Sequence, residues 1–88
     1  MKIEFRELFD CDLSNLDSNY LKRVFEKINL MKVSENINNL SNLKKLKWYK
    51  NFYRLRVGEY RLWFSLEKDK IILERFLHRK DIYKYFPK

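Results

Sequence analysis

FYRLRVGEYRLWF, residues 52–64, decides the fold, and it surrounds the chain's single glycine, Gly58. Tyr53, Leu55 and Val57 before the glycine, and Tyr60, Leu62 and Phe64 after it, recur with the period of two that places side chains on one face of a strand. A two-residue loop of Gly58 and Glu59 pairs Val57 with Tyr60, Arg56 with Arg61 and Arg54 with Trp63. Gly58 then occupies the first central position of a type II′ turn, which a residue with a Cβ resists. The apolar and tyrosine face suits packing against helices, and Arg54, Arg56 and Arg61 converge on the other. Arginines on an exposed face can serve solubility alone. Three in register do more, because Arg56 directly opposite Arg61 is repulsive unless an anion bridges the pair.

Ahead of the hairpin, residues 1–6 alternate Ile3 and Phe5 with charged neighbours and read as a strand. From Leu8 the apolar positions Phe9, Leu13, Leu16 and Tyr20 fall at helical spacing and predict a short helix. Asp17, Ser18 and Asn19 offer caps for a second, roughly antiparallel helix whose apolar face is Tyr20, Leu21, Val24, Phe25, Ile28 and Met31. Asparagines at 36, 38, 39 and 42 predict a connection from which Ile37, Leu40 and Leu43 still reach the core. Residues 46–50 and 52–57 read as strands, EKDK at 67–70 as a reversal, and IILERFLH as the following strand. Ile82 and Phe86 share a face of a last helix of about two turns, closed by Pro87. The expected fold is α+β in a single domain over residues 1–88. Two N-terminal helices pack on one face of a small, mostly meander antiparallel sheet, and a short C-terminal helix follows.

Charge is segregated along this plan. Net charge is +8, yet residues 1–43 carry six bases and seven acids, and residues 44–88 carry fourteen bases and five acids. A strongly positive half suits a phosphate backbone, an anionic membrane surface or an acidic protein partner, whereas a charge serving general solubility would not normally segregate. Cys11, the lone cysteine, has no partner for an intrachain disulfide and fits a reducing, cytoplasmic setting. MKIEFRELF lacks the apolar core of a signal peptide, and no run approaches a membrane span.

Several chemistries find no footing. One glycine excludes the phosphate-binding loops, no His/Cys spacing suits zinc, no Ser-His-Asp arrangement stands out, and neither Glu67 nor Glu74 has a spaced carboxylate partner. What remains is chemistry on a phosphate with no metal and no cofactor. A second cluster, HRKDIYKYF at 78–86, supports it. His78 is of the residue type that titrates near neutral pH, Arg79 can fork onto a phosphate, and Tyr83 and Tyr85 can stack on bases or pass a proton. A histidine at a strand end more often only forms hydrogen bonds, but here Arg79, Lys80 and two tyrosines follow within seven residues.

The run YRLRVGEYRL, its lead-in LKKLKWYKNFYRLRVG and the ending LHRKDIYKYF resemble the RelE/ParE superfamily, the small toxins of bacterial and archaeal toxin–antitoxin pairs. The resemblance covers nearly the whole chain and implies the RelE-like microbial RNase fold. RelE-type members are mRNA endonucleases, often acting in the ribosomal A site, and ParE-type members poison DNA gyrase. For an RNA-cutting member the resemblance implies basic residues at Arg54 and Arg56, a phosphate clamp at Arg61, a terminal arginine at Arg79 and a tyrosine at Tyr85, with Tyr83 and His78 as further candidates. Lys47, Lys50 and Lys80 are expected to add contacts to RNA. Where the best-known members carry lysines this chain has Arg54 and Arg56, and arginine is a poor general base.

The implied reaction is attack of the substrate 2′-OH on the adjacent phosphate, leaving a 2′,3′-cyclic phosphate and a 5′-OH. Arg61 and Arg79 would stabilise the phosphate, Arg54 and Arg56 would position the backbone, and His78 or Tyr85 would handle a proton. The expected partners are mRNA, the ribosome and a RelB-like antitoxin, acidic or partly disordered, with no membrane. A ParE-type gyrase inhibitor and a non-catalytic basic nucleic-acid or antitoxin-binding module are the alternatives.

Overall fold

The computed structural model describes residues 1–34, 36–46 and 50–81, with Asn39 described by its backbone alone. Strand β1 (Lys2–Phe5) leads into α1 (Glu7–Leu13) and α2 (Ser18–Val33). A 3-10 turn at Ile37–Asn39 precedes β2 (Leu43–Lys45), β3 (Phe52–Val57), β4 (Tyr60–Glu67) and β5 (Lys70–His78). The five strands form one sheet in the order β1-β5-β4-β3-β2. Strands β2 to β5 are an antiparallel meander, and β1 runs parallel to β5 at the edge, which makes the sheet mixed. The expected C-terminal helix at 82–86 lies outside the described residues.

Helix α2 starts where Asp17 caps it: its Oδ1 accepts the Tyr20 N–H at 2.9 Å, satisfying one of the orphan donors of the first turn. Its inward stripe is Val24, Ile28 and Met31, all buried. Phe25, expected on that stripe, is half exposed. One helical step of 100° beyond Val24 turns it off the core side. The stripe meets Leu55, Val57, Leu62, Phe64, Ile71, Leu73 and Phe76 from the sheet and Phe9 from α1, with Tyr53 and Tyr60 packed at the margin. The helix-facing side of the hairpin is therefore the one that the alternation predicts.

The strand expected at 46–50 lies largely outside the described residues, which leave out 47–49, and neither Leu46 nor Lys50 is in a strand. The strand that pairs with β3 lies earlier, at Leu43–Lys45, with Leu43 opposite Leu55 and Lys44 opposite Arg54. Leu46 still donates to the Phe52 carbonyl at 3.0 Å, but Lys50 and Asn51 are already in the reversal, where Asn51 has φ +63°. Packing Leu43 against the margin of the core fixes this register, and asparagine accepts the left-handed turn more readily than most residues. Asn42, also at φ +63°, accepts the Arg56 N–H through its carbonyl, so one of the connecting asparagines doubles as the entry to β2.

A second irregularity governs the site. Trp63 pairs with Arg75 and Phe64 with Leu73, leaving Glu74 as an extra residue on β5. Such a bulge switches the faces on which the following side chains lie. Ile71 and Leu73 face the helices, and beyond Glu74 the same side is continued by Phe76 and His78, opposite Leu62 and Tyr60. Asp12 of α1 clamps the bulge. Its carboxylate accepts Arg75 Nε at 2.8 Å, Arg75 Nη2 at 2.9 Å and the Phe76 N–H at 2.8 Å. The extra Glu74 accepts Ser65 Oγ at 2.8 Å and Arg6 Nε at 3.3 Å.

Candidate nucleic-acid interface

The site is built on the β2–β3–β4 face turned away from the helices. The register sets Arg56 opposite Arg61 and Arg54 opposite Trp63, as the turn predicts. Gly58 has φ +60° and Glu59 does not have positive φ, the sign pattern of a type II′ hairpin. A Cβ on Gly58 would lie 2.8 Å from both Arg23 Nη1 and Tyr20 Oη, so conformation favours glycine here and a larger residue would also push aside the tips of these two side chains. The turn is held from the helix side too: the Glu59 N–H donates to Tyr20 Oη at 3.3 Å.

Basic side chains line this face. Lys44, Arg54 and Arg56 belong to β2 and β3, and Arg61 lies across from Arg56 on β4. Trp63 is buried between Arg54 and Arg75 in the same cross-strand row, with the Arg54 guanidinium 6.0 Å from its ring centroid. Arg61 Nη1 donates to the carbonyls of Gly58 at 3.2 Å and Tyr60 at 3.0 Å, which folds its guanidinium toward the hairpin tip. Burial first, and then the charges of Arg54, Arg56 and Arg79, hold the Arg61 pKa below the ordinary arginine range, against the opposing pull of Glu59. Among the described residues no carboxylate forms an ion pair with Arg54, Arg56 or Arg61. The cluster is a field of positive charge that a bridging anion would relieve.

Arg79 joins it at the tip. Its N–H donates to the Glu59 carbonyl at 2.9 Å, and its Nε lies 2.8 Å from Glu59 Oε2. His78 does not join it. The Glu74 bulge turns His78 to the helix side, where its ring meets Tyr60 edge-on at 5.2 Å and Tyr60 stacks on Phe76 at 5.0 Å. The Lys80 N–H donates to His78 Nδ1 at 3.1 Å, which puts the proton of a neutral imidazole on Nε2. Lys80 itself is exposed beside the tip, and Lys50 is exposed at the other end of β3. Lys47, Tyr83 and Tyr85 lie outside the described residues.

Two basic residues escaped the sequence reading. Lys44 was legible in principle, since Leu43 and Leu55 as a core pair put Lys44 beside Arg54. Arg23 of α2, over the Tyr20 ring at 5.1 Å and against Gly58, is a tertiary neighbour that no spacing announces. Among the described residues no group of three His, Cys, Asp or Glu could hold a metal ion.

Against this geometry stand the comparisons with known proteins. Residues 3–83 match the family model for the ParE toxin of the type II toxin–antitoxin system parDE. The chain is 42% identical over 88 residues to the toxin RelE3 of Methanocaldococcus jannaschii, covering 99% of this chain and 100% of that protein. It is similar to a chain of the RelB–RelE antitoxin–toxin complex from Methanococcus jannaschii, with a TM-score of 0.85 and 39% identity over 96% of this chain and 99% of that one. The RelE–RelB complex from Pyrococcus horikoshii OT3 shares the fold at a TM-score of 0.76 and 18% identity, over 92% of this chain and 97% of that one.

Proposed function

The chain belongs to the RelE/ParE superfamily of toxins from type II toxin–antitoxin systems, and from that premise we propose that it is an endoribonuclease that cuts mRNA on translating ribosomes. The observation that carries this reading is the Arg56–Arg61 cross-strand pair, with Arg54 and Arg79 close enough to depress the Arg61 pKa. Guanidinium groups crowded in this way are stabilised by a phosphodiester, and most of all by one gaining charge as a 2′-OH attacks it. In this reading Arg61 and Arg79 hold the phosphate, while Arg54, Arg56 and Lys44 position the strand. Lys47, Lys50 and Lys80 extend the contact. The 2′-OH attacks in line, and the 5′ oxygen leaves as a hydroxyl beside a 2′,3′-cyclic phosphate.

His78 packs on Tyr60 on the helix side, which favours giving the proton step to Tyr85, the position that the family resemblance assigns; Tyr83 is the nearest substitute. A RelB-like antitoxin is the proposed natural partner, supported by the relative at 39% identity, whose structure is an antitoxin–toxin complex. A second reading has one specific support, the ParE name of the matching family model. In it the same toxin fold blocks DNA gyrase and cleaves nothing.

One experiment separates them. The protein is added to a translating extract, mRNA 5′ ends are mapped, and gyrase supercoiling is assayed in parallel. Codon-phased cuts that fall at least about 100-fold with Arg61→Ala are expected, given the cost of losing one donor to a developing oxyanion. Intact mRNA with blocked supercoiling would move the assignment to gyrase, and a fully active Arg61→Ala protein would remove Arg61 from the site.

A further inference from the structure

Glu59 is out of place. In the arginine cluster it is the one carboxylate, among the described residues, that bears on Arg61 and pairs with Arg79. Its backbone is pinned on both sides, by Tyr20 Oη on the N–H and by the Arg79 N–H on the carbonyl. Its side chain is more than half exposed, and so is that of Arg79. The backbone is thus fixed while the carboxylate, held only by an exposed ion pair, borders solvent.

Resting on the reading that this face binds nucleic acid, we propose that the Glu59 carboxylate holds the place of a phosphodiester on Arg79, beside the Arg61 cluster, and swings out when a strand enters. Three features of the tip fit that role. Glu59 Oε2 sits 2.8 Å from Arg79 Nε, the place an anionic phosphodiester oxygen would take. Exposed ion pairs are weak, so displacement costs little. The position also coincides with the most crowded positive charge on the face, since Arg54, Arg56 and Arg79 all press on Arg61. Glu59 therefore lowers affinity for a phosphate backbone by competing with it, and is a positioning residue for Arg79 in the free protein.

The test uses a single-stranded oligonucleotide with 2′-deoxy sugars, which binds without being cut, read by fluorescence anisotropy. Glu59→Gln keeps the backbone bonds and the side-chain shape. It is expected to bind about two- to fivefold tighter, the range of an exposed ion pair. Glu67→Gln makes the same charge change at the far end of the sheet and is expected to leave binding unchanged. In an Arg79→Ala background the gain from Glu59→Gln should vanish, since the two residues act through one contact. A Glu59→Gln protein that binds no tighter than the parent overturns the proposal, and so does a gain that survives Arg79→Ala. Failure of the folded parent itself to bind at low salt would instead bring down the nucleic-acid reading on which the proposal rests.

Discussion

Arg61 and Gly58 show how far single residues set this site. The lowered Arg61 pKa means that its charge carries a penalty in the folded state. For a base, that penalty is constant wherever the group is charged in both states and is lifted only as pH rises through the folded pKa. It therefore adds no slope to stability near neutral pH. Arg61→Ala should accordingly lose cleavage while its unfolding free energy in urea stays within about 0.5 kcal/mol of the parent, the lost carbonyl bonds offset by the relieved repulsion. Gly58→Ala should behave in the opposite way. A Cβ at φ +60° costs about 1 kcal/mol by itself, and displacing Tyr20 and Arg23 adds to it. A loss of about 1–3 kcal/mol in urea unfolding is expected. An unchanged midpoint would mean that the turn relaxes without them.

At the scale of elements, the bulge in β5 is the decisive feature. Without Glu74 as an extra residue, strict alternation from Ile71 and Leu73 would turn Arg75 into the core and His78 onto the arginine face. The side chain that stabilises the bulge comes from another element, since Asp12 of α1 takes two bonds from Arg75 and one from the Phe76 amide. Both partners are largely buried, with side chains 15% and 10% exposed. Asp12→Ala leaves a guanidinium and an amide without these bonds and should cost about 3 kcal/mol in chemical denaturation. A loss below about 0.5 kcal/mol would show that the bulge stands without α1. IILERFLH signals a strand by its composition, but nothing in it marks where the extra residue falls. That depends on a carboxylate about sixty residues earlier in the chain.

Across the whole molecule, the segregated charge becomes a surface. The fourteen bases of residues 44–88 include the set that β2, β3 and β4 turn away from the helices. If Arg54, Arg56, Arg61 and Arg79 each neutralise one phosphate, affinity for single-stranded RNA should fall with a log–log salt slope of about −2.8, roughly 50-fold between 50 and 200 mM salt. Fluorescence anisotropy across that range tests it, and a flat profile would point to a protein target gripped through apolar contacts. The sequence by itself determined the hairpin, its register about Gly58, a cap within residues 17–19 and the arginine face, because each follows from local rules of turn chemistry, capping and alternation acting over a few residues. Only the tertiary structure decided where β2 begins, which side His78 faces, and that Arg23, Arg79 and Glu59 meet at one hairpin tip. Those outcomes depend on packing Leu43 against the core, on the Asp12 clamp and on the packing of α2 against the turn, contacts between residues far apart in the chain that no local pattern encodes.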